Sequence, residues 1–496
     1  MRSTLRPSYQ IVISHTLIKK QYEKYDNLLI YTDYKIIPIL IIGGHHNKLE
    51  ELFKKSDVKF GDSVIIETNN LTHIGILIPR YEYADDNHLV LKLKNGYNIG
   101  INLGKIKSIK KMIEKSDATN KSGIDYKYRD NFLYENTDQN FSQSQLPNLS
   151  LLSTGGTISS KIDYRTGGVM AALTAKELND SIPELMKIAN IDPEVILTEY
   201  SENIKPEHWS LIAKKVANNI LSGKYEGIIV SHGTDTMHYT SAALSFALQN
   251  LPIPVVLVGA QRSSDRPSSD ASLNLIGACT FAAKSKFSGV FVAMHYSISD
   301  DVIACHIGTR VRKNHTSRRD AFHSIDVSPF SLIKKDQIEI SHQYTDLIFQ
   351  ERNKNLEDMS VRPNFENKVS LLKFYPGFDC RMIDYCIKLG YKAIILEGTG
   401  LGHINRECFS QIKNAINNGI LIFMTSQCIW GRTALTVYDT GRDLLNLGVI
   451  PLSNTTSETA LVKAMWCLGN FKEEKDVIKT MTTNIANEFT NRIPVE

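Results

Sequence analysis

From Leu149 onward the chain repeats one pattern: a short continuous apolar run ends at a loop of Gly, Ser, Thr or Asp, and a helical stretch follows. The runs are Leu149 to Ser153, Gly227 to Ser231, Val255 to Val258 and Val290 to Met294. Strands without polar alternation must be covered on both faces, which helices crossing between parallel strands achieve. The intervening helices are readable. One opens at Pro206 with Trp209, Ile212, Ala213, Val216 and Ile220 on one face, and others cover Met237 to Leu248 and Ser272 to Lys284. Thr174-Ala-Lys-Glu177 and Ser181-Ile-Pro-Glu184 read as capping boxes of an earlier helix. This alternation predicts a doubly wound parallel sheet whose site lies at the carboxyl ends of the strands.

After a less regular stretch, about 323 to 366, the alternation resumes. Val369 to Phe374, Ala393 to Glu397 and Ile420 to Met424 read as strands. Met382 to Leu389 and Phe409 to Asn418 read as helices closed by Gly390 and Gly419, and a last helix covers Ser457 to Leu468. The result is a second, smaller α/β domain. Upstream, Val58 to Met112 holds short β-branched runs separated by Asn, Gly and Asp turns, the pattern of a small all-β barrel module of the interaction type. The basic run Lys105 to Lys111 reads as its solvated edge. Residues 113–147, rich in Asp, Asn, Ser, Gln and Lys, read as a linker. The expected layout is an extension of uncertain status over 1–55, a β module over 56–112, the linker, an α/β domain carrying the active site over 148–345, and a second α/β domain over 366–490.

Fifty-seven Lys and Arg against 53 Asp and Glu leave a net charge of +4 over 496 residues, so any nucleic-acid contact must be local. The apolar run Ile36 to Ile42 is too short to cross a bilayer, and it lacks the flanks of a signal peptide. Seven cysteines, an odd number without a CxxC pair, disfavour a disulfide framework and a zinc site and point to a reducing cytoplasm. There is no HExxH, no GxGxxG after a strand and no GxxxxGK[ST], hence no expected metal, dinucleotide or ATP site on this chain.

Three strand-end loops carry groups that could cooperate. Thr154-Gly-Gly-Thr-Ile supplies Thr157 and, further on, Tyr164; His232-Gly-Thr-Asp-Thr supplies Thr234 and Asp235; the loop from Gly308 supplies Lys313 among several cations. A threonine hydroxyl becomes a nucleophile when a base takes its proton, and a lysine can serve if burial or nearby cations, here Arg310 and Arg312, favour its neutral form. Each loop taken singly has a blander reading. The glycines fit a tight turn or a phosphate loop, HGTDT fits a helix N-cap, and Lys313 fits a solvated cation. Cys279 and Cys428 could be nucleophiles, but their apolar neighbours suit small buried core thiols, and His232 and His306 suit structural roles better than metal ligation.

In combination, Ser153-Thr-Gly-Gly-Thr-Ile-Ser, Val230-Ser-His-Gly-Thr-Asp-Thr-Met and Val258-Gly-Ala-Gln-Arg-Ser-Ser-Asp resemble the bacterial-type L-asparaginase/glutaminase family across about residues 147 to 490. The resemblance implies a two-domain α/β fold, side-chain amide hydrolysis through a threonine nucleophile, and active sites at a dimer interface. It matches Thr157 to the nucleophile, Tyr164 to the mobile-loop tyrosine, and Thr234, Asp235 and Lys313 to the second catalytic group. Ser201 and Glu202, with Gly156 and Gly233, fall at substrate-binding positions.

The β module and linker ahead of this part, with Asp163-Tyr-Arg-Thr-Gly, Ser201-Glu-Asn, His315-Thr-Ser-Arg-Arg-Asp-Ala-Phe and Glu397-Gly-Thr-Gly-Leu-Gly-His, are similar to the D subunits of archaeal glutamyl-tRNA(Gln) amidotransferases. That likeness implies ammonia release from glutamine or asparagine, and its delivery to an E subunit that holds ATP and Mg and acts on Glu-tRNA(Gln). The expected assembly is a heterotetramer of two D and two E subunits. The first 55 residues are longer than the family leads one to expect. Two other readings compete: a free-standing L-asparaginase, which has no need of the β module, and a docking scaffold with an inactive site, which the retention of all five reactive residues opposes. Tyr164 and Lys313 are both candidates for the base that activates Thr157.

Overall fold

The computed structural model describes residues 47–69, 71–78, 87–93, 98–112, 146–155, 160–162, 169–171, 182–262, 269–341, 351–353 and 355–491. Nearly all of the expected linker, most of the expected N-terminal extension, the capping box at 174–177 and Ser181 of the second box lie outside the described residues, as do Gly156, Thr157 and Tyr164. Within the second expected capping box, Ser181–Glu184, the described residues show a 3₁₀ turn, Pro183–Lys187, with Ile182 at its N-cap and no side-chain capping bond, instead of the start of an α-helix. The described residues up to Met112 and those from Leu146 onward belong to two compact units.

The first unit opens with α1 (Asn47–Ser56) and forms a five-stranded sheet from β1 (Ser63–Thr68), β2 (Thr72–Ile78), β3 (His88–Leu93), β4 (Asn98–Asn102) and β5 (Ile106–Lys111), in the order β4-β3-β2-β1-β5. Alternate residues point inward, so Val64 and Ile66 join Leu77, Leu89, Leu91, Ile101 and Ile109 in one core. The basic run is β5 itself, an outer strand paired with β1. Ile109 is its buried anchor, while Lys107, Lys110 and Lys111 are exposed, the last 2.9 Å from Asp62. Charges along an edge strand discourage pairing with another sheet.

In the second unit the strands of the main sheet are β6 (Asn148–Ser153), β7 (Asn190–Val195), β8 (Gly227–Ser231), β9 (Pro254–Val258), β10 (Gly289–His295) and β11 (Ile303–Ile307). β12 (Val311–Lys313) and β13 (Phe322–Ser324) form a separate hairpin, and β14 (Ser331–Lys334) and β15 (Gln337–Ile340) return to the sheet. The order is β15-β14-β11-β10-β9-β8-β6-β7. From β7 to β10 the pairing is parallel, as the alternation predicts. Beyond β10 it is antiparallel, because β11, β14 and β15 are joined by turns rather than helices. Those strands fall partly in the stretch that reads as irregular, and Cys305 and His306 interrupt the apolar signal of β11.

The continuous apolar strands divide residue by residue between two cores. Leu149, Leu151, Ile229, Val256 and Val258 face helix α4 (Ala271–Lys284), whereas Leu152, Ile228, Val230, Val255 and Leu257 face helices α2 (Pro206–Leu221) and α3 (Met237–Ala247). Helix α3 is buried on almost every side, since its other face packs on the smaller domain through Ala242, Ala243 and Phe246. That domain has a four-stranded parallel sheet of β16 (Val369–Lys373), β17 (Ala393–Gly398), β18 (Leu421–Ser426) and β19 (Ile450–Pro451). Its helices are α5 (Arg381–Lys388), α6 (Phe409–Asn417), α7 (Asp439–Leu447), α8 (Ser457–Asn470) and α9 (Glu474–Thr482). The fold is the expected two-domain α/β arrangement, preceded in the chain by a β module.

Two readings of the cysteines are corrected. Packing of α5 on α6 brings Cys380 and Cys408 together as a disulfide, although their separation of 28 residues follows no familiar spacing. Cys279 is a buried core thiol, its pKa pushed up to about 12 by burial, but Cys428 is exposed because it lies in the loop leaving β18 beside exposed Ile429 and Trp430.

Candidate active site

Parallel pairing sets the level at which the site forms. Ser153, Ser231 and Val258 end their strands in register, so the chain leaves β6, β8 and β9 side by side. The first exit is fixed by Thr154, whose backbone N–H and hydroxyl both donate to Ser231 O at 3.0 Å. Gly155 then turns with φ +110°, and a Cβ there would lie 2.4 Å from Glu199 O and 2.8 Å from Glu199 N. Only glycine fits this position, on both conformational and steric grounds. The close approach brings the segment from Glu199 to Glu202 against the exit of β6, and Glu199 N–H donates to Thr154 O.

Ser201 and Glu202 lie in a 3₁₀ turn, Ser201–Asn203, with Ser201 buried and Glu202 exposed. Thr236 Oγ1 donates to Ser201 O at 2.6 Å. A Cβ on Gly233 would sit 2.8 Å from Ser201 Cβ and 3.0 Å from its hydroxyl. Gly233 therefore admits the Ser201 side chain to the space between the first and second loops.

The second loop runs from His232 to Thr236, and its shape comes from below. His232 Nδ1 donates to Gly233 O at 2.7 Å, and its Nε2 accepts from Thr240 Oγ1 at 2.9 Å, while Thr240 accepts from Trp209 Nε1 at 3.1 Å. Burial holds the imidazole neutral, its pKa down to about 4, which suits this pattern of one donor and one acceptor nitrogen. His232 is thus structural. Trp209 and Thr240 are members of the support that the sequence showed only as residues on helical faces. Gly259, at the third exit, closes on the loop from the side, since a Cβ there would meet His232 O and Thr234 Cγ2 at 2.8 Å each.

Lys313 arrives from the hairpin of β12 and β13. Its Nζ donates to Thr234 Oγ1 at 2.8 Å and to Asp235 Oδ1 at 2.5 Å, and its side chain is 9% exposed against 65% for Asp235. As an ammonium, Nζ can only donate; to take a proton from Thr234 it must first lose one. The neighbouring arginines are committed elsewhere. Arg310 is fully buried, donates to Asn454 O and Glu488 O and faces Asp326, and Arg312 donates to Glu458 Oε1 at 2.7 Å. Arg310, through Asn454 O and Glu488 O, and Arg312, through Glu458, anchor the Lys313 hairpin to the smaller domain, with help from Thr309 donating to Ala486 O. His238, in the first turn of α3, has its pKa pushed down to about 3 by burial and then by Arg312 and Lys313.

The structure therefore brings Thr234, Asp235 and Lys313 together, and places Ser201 against Gly233. Gly156, Thr157 and Tyr164 lie outside the described residues; Thr157 follows Gly155 by two positions in the sequence. Among the described residues no group of three or more His, Cys, Asp or Glu could hold a metal ion, and no helix is long and apolar enough to cross a membrane.

Comparison with known proteins bears on the family and the fold. Residues 148–346 match the model of the asparaginase N-terminal domain, 368–481 that of the glutaminase/asparaginase C-terminal domain, and 58–112 that of the GatD N-terminal domain. The D subunit of the glutamyl-tRNA(Gln) amidotransferase of Pyrococcus furiosus is 45% identical over 448 residues, covering 89% of this chain and 98% of its own. Its counterpart in Methanopyrus kandleri is 41% identical over 455 residues, 90% and 95% of the two chains. Among solved structures, the thermostable L-asparaginase from Thermococcus kodakarensis superposes with a TM-score of 0.61 at 33% identity, over 70% of this chain and 100% of that one.

Proposed function

Since this chain belongs to the family of glutamyl-tRNA(Gln) amidotransferase D subunits, we propose that it frees ammonia from glutamine, or from asparagine, with Thr157 as nucleophile and passes it to a partner subunit. It is the glutaminase component of a tRNA-dependent amidotransferase. The observation that carries the reading is the Lys313 ammonium bonded to both Thr234 and Asp235, beside the Gly155 turn that leads to Thr157.

The reaction is a two-step acyl transfer. Thr157 Oγ attacks the side-chain amide carbon, and a proton passes to the departing nitrogen. Ammonia leaves, and a glutamyl ester remains on Thr157. Water then attacks the ester, releasing glutamate and restoring the hydroxyl. Backbone N–H groups near the glycine turn hold the oxyanion of each tetrahedral intermediate. Thr234, Asp235 and Lys313 supply proton transfer, Tyr164 and Lys313 being the candidate bases for Thr157. Ser201 and Glu202, with Gly156 and Gly233, hold the α-carboxylate and α-amino groups of the substrate.

The partner is the E subunit, which binds ATP and Mg and converts Glu-tRNA(Gln) to Gln-tRNA(Gln) in the cytoplasm. The assembly is a homodimer of this chain within a heterotetramer of two D and two E subunits. Ammonia release from glutamine is measured with the purified chain alone and with the E subunit, Glu-tRNA(Gln) and ATP. Strong stimulation by the complete mixture supports the amidotransferase. Partner-independent asparagine hydrolysis supports an asparaginase instead, and inactivity in every mixture refutes the enzymatic reading.

A further inference from the structure

The Thr234–Lys313 pair is held from two sides, and both sides run into one chain of polar groups. On the Thr234 side lies Gly259, whose carbonyl accepts from Asn274 Nδ2 at 2.9 Å. The next amides, those of Gln261 and Arg262, donate to the two oxygens of Asp270 at 3.0 and 2.9 Å, and Asn274 Nδ2 donates to Asp270 Oδ2 as well. Because a carbonyl and a carboxylate face its nitrogen, the Asn274 amide has one orientation. Its Oδ1 therefore accepts from His295 Nδ1 at 2.6 Å. The other ring nitrogen lies 3.2 Å from Asp300 Oδ1, and the same carboxylate oxygen accepts from Arg319 Nη1. Arg319 belongs to the loop that leaves β12 immediately after Lys313 and returns as β13. The ring closes through the 2.8 Å bond from Lys313 to Thr234.

Exposure grades along this ring. Asp270, Asn274 and His295 are wholly buried and Arg319 is partly buried, whereas Asp300, on the turn between β10 and β11, is 54% exposed. A buried polar network holds one geometry only while every member is satisfied. We propose that Asp300 and Arg319 form a positioning latch: through His295 and Asn274 on one side and the 314–321 loop on the other, they set the separation of Thr234 and Lys313. The latch acts through other residues and touches no reacting atom. Its kinetic consequence rests on the proposed glutaminase activity, but its geometric consequence does not.

Asp300→Asn, Arg319→Gln and Arg319→Lys are compared with wild type in the full chain together with its partner subunit. A displacement of the order of 1 Å at a catalytic pair costs about a hundredfold, so Asp300→Asn and Arg319→Gln should lower kcat for ammonia release by about tenfold to a hundredfold. KM stays within about twofold, because no substrate contact is removed. Arg319→Lys, which keeps the charge, retains more of kcat than Arg319→Gln. Amide hydrogen exchange quickens at 314–321 and at 259–262 in both disruptive variants. Wild-type kcat in those variants, equal losses for Lys and Gln at position 319, or a KM change without a kcat change would each overturn the latch. A wild-type chain that releases no ammonia refutes the glutaminase reading instead, and the exchange measurement then decides the latch: quickened exchange upholds it and unchanged exchange overturns it.

Discussion

Gly233→Ala adds one methyl group where the second loop meets the proposed substrate-binding turn. The new Cβ would stand 2.8 Å from Ser201 Cβ and 3.0 Å from Ser201 Oγ, and the backbone at 233 is not in the left-handed region, so the perturbation is purely steric. Carbon atoms in contact rest about 3.5–4.0 Å apart, so one partner must retreat by about 0.7–1.2 Å. Ser201 is not free to do so, because it is buried and its carbonyl is tied to Thr236 Oγ1 at 2.6 Å. A shift of that size in a substrate-positioning group predicts a fall in kcat/KM of about tenfold to a hundredfold, carried mainly by KM. Overpacking of a filled site costs about 1–3 kcal/mol, which in a unit of this size lowers Tm by a few degrees. Steady-state ammonia release from glutamine and a thermal melt give both quantities. An unchanged KM with the expected loss of Tm would show that Ser201 does not contact substrate, and no change in either would refute the packing argument itself.

Lys313→Met removes the ammonium that binds Thr234 and Asp235, and kcat should fall by about 10²–10⁴ with Tm nearly unchanged; a comparable loss of folding stability would mark a structural lysine instead. The buried imidazoles give acid lability a definite window. The pKa of His232 is pushed down to about 4 and that of His306 to about 3 by burial, so both are neutral in folded and unfolded chains above the usual histidine range. As pH falls through 6.5 the unfolded chain takes up protons that the native one refuses, and stability is lost down to about 4 for His232 and about 3 for His306, at about 1.4 kcal/mol per pH unit and group. Melts should show Tm falling across that window and falling less steeply in His306→Gln; a flat profile contradicts the assignment. Finally, Lys463 is buried, donates to Met481 O and Thr483 O, and pairs with buried Glu488. Lys463→Met should cost about 3–5 kcal/mol by stranding that carboxylate, and adding Glu488→Gln should recover part of it; urea unfolding of the single and double variants checks this.

How much of the fold and site was legible in the sequence depends on how local each signal is. Continuous apolar runs ending in Gly-Gly-Thr or His-Gly-Thr-Asp announced buried parallel strands and marked the candidate loops at their ends, because each signal lies within a few residues. Distributed interactions were invisible. Nothing in the sequence ties Trp209 and Thr240 to His232, or Asp270 to Asp300 through three elements, since each contact is made by folding. The same blindness misjudged Arg310 and Arg312, which looked like neighbours tuning Lys313 and prove to face Asp326 and Glu458, the latter far along the chain. The antiparallel edge escaped notice because its strands are short and carry Cys, His and Lys among their apolar residues. Exposed Cys428 and the Cys380–Cys408 pair escaped for the same reason as the distributed contacts, since neither exposure nor pairing can be read from neighbours in the chain.

The proposed reaction requires Thr157 to carry the glutamyl group. The chain is mixed with glutamine, quenched in acid during turnover, digested and analysed by mass spectrometry, beside Thr157→Val. A glutamyl ester is expected on the peptide containing Thr157 in the wild type, and neither ester nor ammonia release in Thr157→Val, which still folds and binds its partner. An ester on Thr234, or ammonia release by Thr157→Val at the wild-type rate, would contradict it.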